Sequence, residues 1–261
     1  IGFNRNRVYI LGNSNTTMSE NTYFNVKLEF DPDKVDHTIH ETIVNNGKGY
    51  VCSVEGNVLA VANSNPEFVK IVNGALVNLC DGNSIAMLAS MIHKKKLKTY
   101  IGADLFLKYI KMAKYKSFFL GNTPEVLQGL KSNLLQYDSN ISNMKFETLP
   151  FKNVEDFDYS GIAKMIGENN PDIIWVSLGA PKQEIFMSKL LPHLERGVMF
   201  GFGAIFNFNS GVNNKRAPKL FLKLKLEWVY RLYKEPKKQF QKFKMYTKVL
   251  PTLVYNEIKN K

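Results

Sequence analysis

Residues 173–191 read Ile173-Ile-Trp-Val-Ser-Leu-Gly-Ala-Pro-Lys-Gln-Glu-Ile-Phe-Met-Ser-Lys-Leu-Leu191, and their reading decides the fold. The run Ile173–Leu178 is apolar almost throughout and does not alternate, the mark of a strand buried on both faces of a parallel sheet. Gly179 ends it. Pro181 suits the first turn of a helix, where the N–H it lacks would have no partner, and the helix is expected to run to Leu191. Working outward, the same strand–turn–helix unit recurs along most of the chain. Strand-like runs stand at Tyr50–Val54, Leu76–Leu79, Lys116–Leu120, Lys145–Leu149 and Val198–Phe202. Helical segments fit at Asp33–Asn46, Asn65–Asn73, Ser84–Lys95, Leu105–Lys114, Pro124–Gln136 and Tyr159–Asn169. Apolar strands alternating with helices predict an α/β domain, a parallel sheet with helices on both faces.

Charge divides the chain. Residues Lys215 to Lys261 hold fourteen Lys/Arg and three Glu, a balance of +11 out of +12 for the whole chain, which leaves residues 1–214 at +1. Aromatics such as Trp228, Tyr230 and Tyr246 interleave these basic residues. The expected organisation is an α/β body, residues 1–214, and a basic appendage, residues 215–261. In the appendage a helical wheel gathers Lys219, Lys223, Glu227, Arg231 and Lys234 on one side, with Leu222, Trp228, Val229 and Leu232 opposite. A second helix is expected at Lys237–Leu250, between Pro236 and Pro251. Such a tail suits a polyanionic partner, either an anionic membrane surface or a nucleic acid. Cys52 and Cys80 make no disulfide framework and read as reduced core residues of a cytosolic protein. The longest uncharged stretch, Gly197–Asn214, is too rich in Gly and Asn to span a bilayer, so membrane attachment is expected to be peripheral.

Asp81 follows the strand Leu76–Leu79 directly. In parallel α/β sheets ligands bind beyond the carboxyl ends of the strands, so this carboxylate could serve as a general base. The local sequence equally fits an Asp-Gly turn that caps the next helix. Lys182 and Gln183 lie at a helix start, where backbone N–H groups and the helix dipole favour phosphate; a well-made helix start with Glu184 as its early acid fits the same residues. Gly201-Phe-Gly203 reads as a tight turn at a strand end, since Phe206 stands where a dinucleotide fingerprint needs its third glycine. The triplets Asp31-Pro-Asp33 and Asp156-Phe-Asp158 sit in turn-forming context and read as helix caps or loops. The four His show no metal-ligand spacing with the cysteines, so no metal or other cofactor is expected.

Several islands occur in order: Asn65-Pro-Glu-Phe68, Cys80-Asp-Gly82, Thr99-Tyr-Ile-Gly-Ala-Asp-Leu105, Leu178-Gly-Ala-Pro-Lys-Gln-Glu184, Gly201-Phe-Gly-Ala-Ile-Phe206, Lys215-Arg-Ala-Pro218 and Leu226-Glu-Trp-Val-Tyr-Arg-Leu232. Together they resemble the WecG/TagA/CpsF family of glycosyltransferases. The resemblance implies a Rossmann-like parallel sheet with helices on both faces and a basic helical C-terminal appendage. It also implies inverting, metal-independent transfer from a UDP-sugar, N-acetylmannosamine in the best-known members, to a polyprenyl-diphosphate-linked acceptor at the inner face of the cytoplasmic membrane. Asp81 is then the expected base. Ser53, Glu55, Gly102, Asp104, Gly179, Lys182, Gln183 and Gly203 line the substrates, joined by Arg216 and Arg231 from the tail. Lys219, Lys223, Trp228, Lys234, Lys237 and Lys238 face the membrane. Two departures bear on the donor: Ser53-Val-Glu55 stands where the family often has Thr-x-Asn, and Thr99 where Arg is common. Competing expectations are a basic nucleic-acid-binding or RNA-modifying α/β protein and a non-enzymatic scaffold; a homo-oligomer is compatible with each.

Overall fold

The structure, a computed structural model, describes residues 21–212, 233 and 236–259. It opens on a small antiparallel hairpin, β1 (Thr22–Tyr23) and β2 (Val26–Lys27). Phe24 and Asn25 at its turn both have positive φ, as a tight two-residue hairpin needs. Six strands then build one parallel sheet: β3 (Lys48–Val54), β4 (Val77–Cys80), β5 (Ser117–Gly121), β6 (Lys145–Glu147), β7 (Ile173–Ser177) and β8 (Gly197–Gly201). Their order across the sheet is β4-β3-β8-β7-β5-β6, and every pairing is parallel. All five residues of β5, β7 and β8 are buried, which is why these strands read as continuous apolar runs.

One face of the sheet carries α2 (Gly56–Ser64), α3 (Pro66–Asn73), α4 (Asn83–His93), α7 (Tyr159–Asn169) and α8 (Lys182–Leu190). The other carries α1 (Pro32–Val44), α5 (Gly102–Met112), α6 (Pro124–Leu134) and α9 (Gly203–Ser210). The α/β reading therefore holds, strand by strand. Because β3 leads to α2 on one face while its neighbour β8 leads to α9 on the other, the connections part at this switch point, where such sheets usually offer a crevice to a ligand.

Besides the β1–β2 hairpin, which the sequence reading did not include, three elements depart from it. The hydrophobic segment Gly56–Ser64 is a helix, with Val58, Leu59, Ala60 and Ala62 buried. Gly203–Ser210 is also a helix, where a turn and loop were expected. The C-terminal helix α10 runs from Pro236 to Lys259 and passes through Pro251, where it was expected to stop. Pro251 has no N–H to give the preceding turn, and Thr247 and Pro251 are both exposed. The expected helix Lys219–Lys234 lies outside the described residues, apart from Tyr233. Helix α10 lies against α2 and α4. Its Glu257 accepts from the Phe24 N–H at 2.7 Å and pairs with His93 Nε2 at 2.7 Å, tying it to the hairpin and to α4.

Candidate active site

The carboxyl ends of β3 and β4 form one side of the crevice. Register places Val54 opposite Cys80, and the Asp81 N–H donates to the Val54 carbonyl at 3.1 Å, so Asp81 emerges beside the end of β3. Ser53 Oγ donates to Asp81 Oδ2 at 2.5 Å. The helix-cap reading of Asp81 is excluded by geometry: Gly82 occupies the N-cap position of α4, which has no side-chain cap. Glu55 stands at the N-cap of α2 without capping it, half-buried next to this corner. Gly102, the first residue of α5, closes the opposite wall. A Cβ there would lie 3.3 Å from Asp81 Oδ2 and 3.1 Å from the Phe202 ring, so only a glycine leaves the carboxylate this much room. Asp104 is exposed on the first turn of the same helix.

Phe202 joins that corner to the second one, since Gly203 directly after it meets the β7–α8 turn. A Cβ on Gly203 would fall 2.7 Å from the Gly179 nitrogen, a contact that real side chains do not make. Gly179 has φ +77, open to glycine at no cost. Gln183 ties the two turns. Its Oε1 accepts from the N–H groups of Gly179 and Gly203, each at 3.1 Å, and its Nε2 donates to the Gly201 carbonyl at 2.7 Å and to Glu184 Oε1 at 3.0 Å. Ser177 Oγ donates to the Gly203 carbonyl at 3.0 Å and accepts from Asn122 Nδ2 at 2.9 Å, which adds the β5–α6 turn to the same scaffold.

The structure thus brings Ser53, Glu55, Asp81 and Gly102 to one corner and Gly179, Gln183 and Gly203 to the other. Lys182 is turned aside: its ammonium bonds the Lys152 carbonyl and lies over the rings of Phe151 and Phe157. An open pocket of about 510 Å³ lies there, lined in part by Phe151, Asn153, Asp156, Pro181 and Ile185. Arg216, Arg231, Lys219, Lys223, Trp228 and Lys234 lie outside the described residues; Lys237 and Lys238 belong to α10. Both Asp-x-Asp triplets supply caps: Asp31 accepts from the Asp33 N–H at the start of α1, and Asp158 from the Gly161 N–H at the start of α7. Among the described residues no three His, Cys, Asp or Glu are grouped to hold a metal ion, and no helix is long and apolar enough to cross a membrane.

Three contributors escaped the sequence reading. Phe202 bridges the corners, Asn122 anchors Ser177, and Tyr246 of α10 reaches the β3–β4 side. Ring carbons of Tyr246 lie 3.2 Å from where a Cβ on Gly56 would stand, and its hydroxyl is 3.3 Å from Ser84 Oγ. Nothing local in the sequence announces these contacts, because each joins segments far apart in the chain. Glu184 was read only as the early acid of a helix start; it is fully buried.

A parallel sheet with glycine turns and partly exposed carboxylates at its carboxyl ends defines an α/β protein of the kind that binds ligands at that edge. The chain belongs to the glycosyl transferase WecG/TagA/CpsF family, which matches residues 23–261. It is similar to N-acetylglucosaminyldiphosphoundecaprenol N-acetyl-beta-D-mannosaminyltransferases. That of Bacillus spizizenii is 29% identical over 210 residues, 76% of each chain. That of Bacillus subtilis is 28% identical over 189 residues, 71% of this chain and 72% of the relative. That of Staphylococcus aureus is 29% identical over 209 residues, 75% of this chain and 80% of the relative.

Proposed function

We propose that this protein is an inverting, metal-independent glycosyltransferase that moves a sugar from a UDP-sugar to a polyprenyl-diphosphate-linked sugar in bacterial cell-surface polysaccharide synthesis. The names of its relatives support this reading and make N-acetylmannosamine the first donor sugar to test. The observation that carries it is the Ser53–Asp81 corner, a partly exposed carboxylate at a strand end, oriented by a hydroxyl and faced by a glycine.

In this reading Asp81 takes the proton from the acceptor hydroxyl. The oxygen attacks the anomeric carbon from the face opposite the diphosphate, the bond to the β-phosphate oxygen breaks, and configuration inverts. The Gly179 and Gly203 turns, with Gln183 beneath them, carry the donor, while Glu55, Gly102 and Asp104 flank the reacting sugars. The leaving diphosphate needs positive charge. Arg216 and Arg231 are assigned that role, with Lys182 joining after it leaves the Lys152 carbonyl. The capping roles of Asp31 and Asp158 support a reaction that does not use an Asp-x-Asp metal site. The appendage, with Lys219, Lys223, Trp228, Lys234, Lys237 and Lys238, would hold the enzyme to the inner face of the cytoplasmic membrane beside its lipid-linked acceptor. Basic residues near anionic lipid contribute about 1 kcal/mol each, and exposed Phe240 and Tyr255 add apolar contact.

The test is transfer by the full chain from a panel of UDP-sugars to a synthetic lipid-diphosphate-linked N-acetylglucosamine, with and without EDTA. Product with inverted anomeric configuration and undiminished yield in EDTA is expected. No transfer from any UDP-sugar would overturn the reading, and activity that collapses in EDTA and returns with Mg²⁺ or Mn²⁺ would overturn its metal-independent part.

A further inference from the structure

Gln183 and Glu184 open α8 side by side, and both side chains are buried, at 5% and 0% exposure. A carboxamide offers two acceptor positions and two N–H donors. Gln183 uses all four inside the protein: two on Gly179 and Gly203, one on Gly201 and one on Glu184. In this arrangement it has no hydrogen-bonding capacity left for a ligand. What it does is fix the separation of two turns, and it can do so only with its oxygen facing their N–H groups. Glu184 Oε1 is one of the two acceptors that hold the nitrogen end in place.

Glu184 Oε2 is buried and has no hydrogen-bond partner. An ionised carboxylate there would be a buried charge with little to stabilise it. Protonation on Oε2 removes that charge and leaves Oε1 as the carbonyl acceptor that Gln183 needs. Burial accordingly pushes the carboxyl up to about 7, opposed by the Gln183 hydrogen bond and assisted by nearby Glu55. The Cys52 thiol on β3 is pushed up by burial and by Glu184 and stays neutral.

We propose that Glu184 is a positioning residue for donor binding, acting through Gln183 to set the spacing of the Gly179 and Gly203 turns on which the donor diphosphate rests. The proposal rests on the donor site assigned above and extends it to a residue that never touches the donor.

The experiment uses the full chain, UDP alone as the probe, and amide hydrogen exchange at Gly179 and Gly203 as a readout independent of any ligand. Glu184→Leu should weaken UDP about tenfold, the scale of one buried N–H left unpaired, and should speed exchange at both glycines. Glu184→Gln keeps the acceptor oxygen and should bind UDP within about twofold of the parent protein, as expected where both partners of the bond survive. In a Gln183→Ala background, Glu184→Leu should add almost nothing, because the route through Gln183 is already broken. Full additivity of the two changes would overturn the proposal, and so would unchanged UDP affinity with unchanged exchange in Glu184→Leu. If the parent protein bound no UDP, the donor site assignment would fall, and the exchange data would still decide whether Glu184 holds the turns. If Glu184→Leu does not fold, Glu184→Asp makes the same comparison with Glu184→Gln: drawing the carboxyl back by one methylene should weaken UDP, and equal affinity in both would overturn the proposal.

Discussion

The two sides of the crevice treat their carboxyl groups in opposite ways. At the β3–β4 corner Asp81 is partly exposed, accepts a hydrogen bond from the Ser53 hydroxyl and faces a glycine that leaves it room. At the β7–β8 corner Glu184 is sealed from water, with one oxygen bonded to a neighbouring amide and the other to nothing. The difference is one of task. A group that reacts must be reachable by its substrate, whereas a group that holds a scaffold works best where water cannot compete for its hydrogen bond.

The sharpest way to break this contrast is to neutralise each group in turn. Asp81→Asn should lower transfer by roughly 10²–10⁴-fold, the usual worth of a general base, while UDP affinity stays close to that of the parent protein. Glu184→Gln should leave transfer nearly unchanged. Steady-state rates with saturating donor check both, and an active Asp81→Asn enzyme would mean that the base lies elsewhere.

The second contrast is in pH. The Glu184 carboxyl is raised from its ordinary value near 4.5 to about 7 by burial. Between those values the unfolded chain has released this proton while the folded chain keeps it. Stability from this group is therefore fully present below about 4.5, falls as pH rises, and levels off above about 7. At about 1.36 kcal/mol per unit the loss is on the order of 3 kcal/mol. Glu184→Gln carries no such proton, so urea unfolding at about pH 5 and about pH 8 should show a smaller drop in the variant than in the parent protein. Parallel drops would mean that Glu184 is solvated or ionised throughout.

Next in size is the contact between the turns. Gly203→Ala places a methyl 2.7 Å from the Gly179 nitrogen and 2.9 Å from Gln183 Oε1. Overpacking of this kind costs about 1–3 kcal/mol, and here it should also weaken UDP, since it spreads the two turns. A Gly203→Ala protein with unchanged UDP affinity would show that the turns can separate without harm to the donor, contrary to the role given to Gln183.

How much of this could be read beforehand follows from which contacts are local. Strands β5, β7 and β8 were legible because both their faces are buried, so apolar runs such as Ile173–Val176 stand out without any periodicity. Helix α2 was not, since Val58, Leu59, Ala60 and Ala62 point in several directions and leave no polar stripe to reveal a helical period. Helix α9 was hidden by its Gly, Asn and Ser content, which favours turns when judged residue by residue. Asp81 was legible as a residue at a strand end, but ruling out the capping role needed the observed N-cap at Gly82. The burial of Glu184 was not legible because an acid in the first turn of a helix ordinarily sits in water near the dipole; it follows from the packing of α8 onto the sheet.

The smallest expected effect concerns which corner the C-terminal helix serves. Helix α10 places Tyr246 against Gly56 and Ser84, which flank Glu55 and Asp81, so it adjoins the β3–β4 side, where the acceptor is assigned. Burial pushes the Tyr246 phenol up, so it remains a neutral hydroxyl at working pH, and at 3.3 Å its bond to Ser84 is a long one. Most of its contribution should therefore come from the ring. Tyr246→Phe should be nearly silent, whereas Tyr246→Ala removes the ring from the wall of the corner and should raise the acceptor KM by about three- to tenfold, equivalent to roughly 1 kcal/mol. UDP affinity should not move, because the Gly179 and Gly203 turns are held from within by Gln183 rather than by α10. Urea unfolding of the same variant separates a local change from general loosening. An equal loss of UDP affinity and acceptor affinity in Tyr246→Ala would make α10 a support for the whole crevice, and the division of labour between its two corners would have to be abandoned.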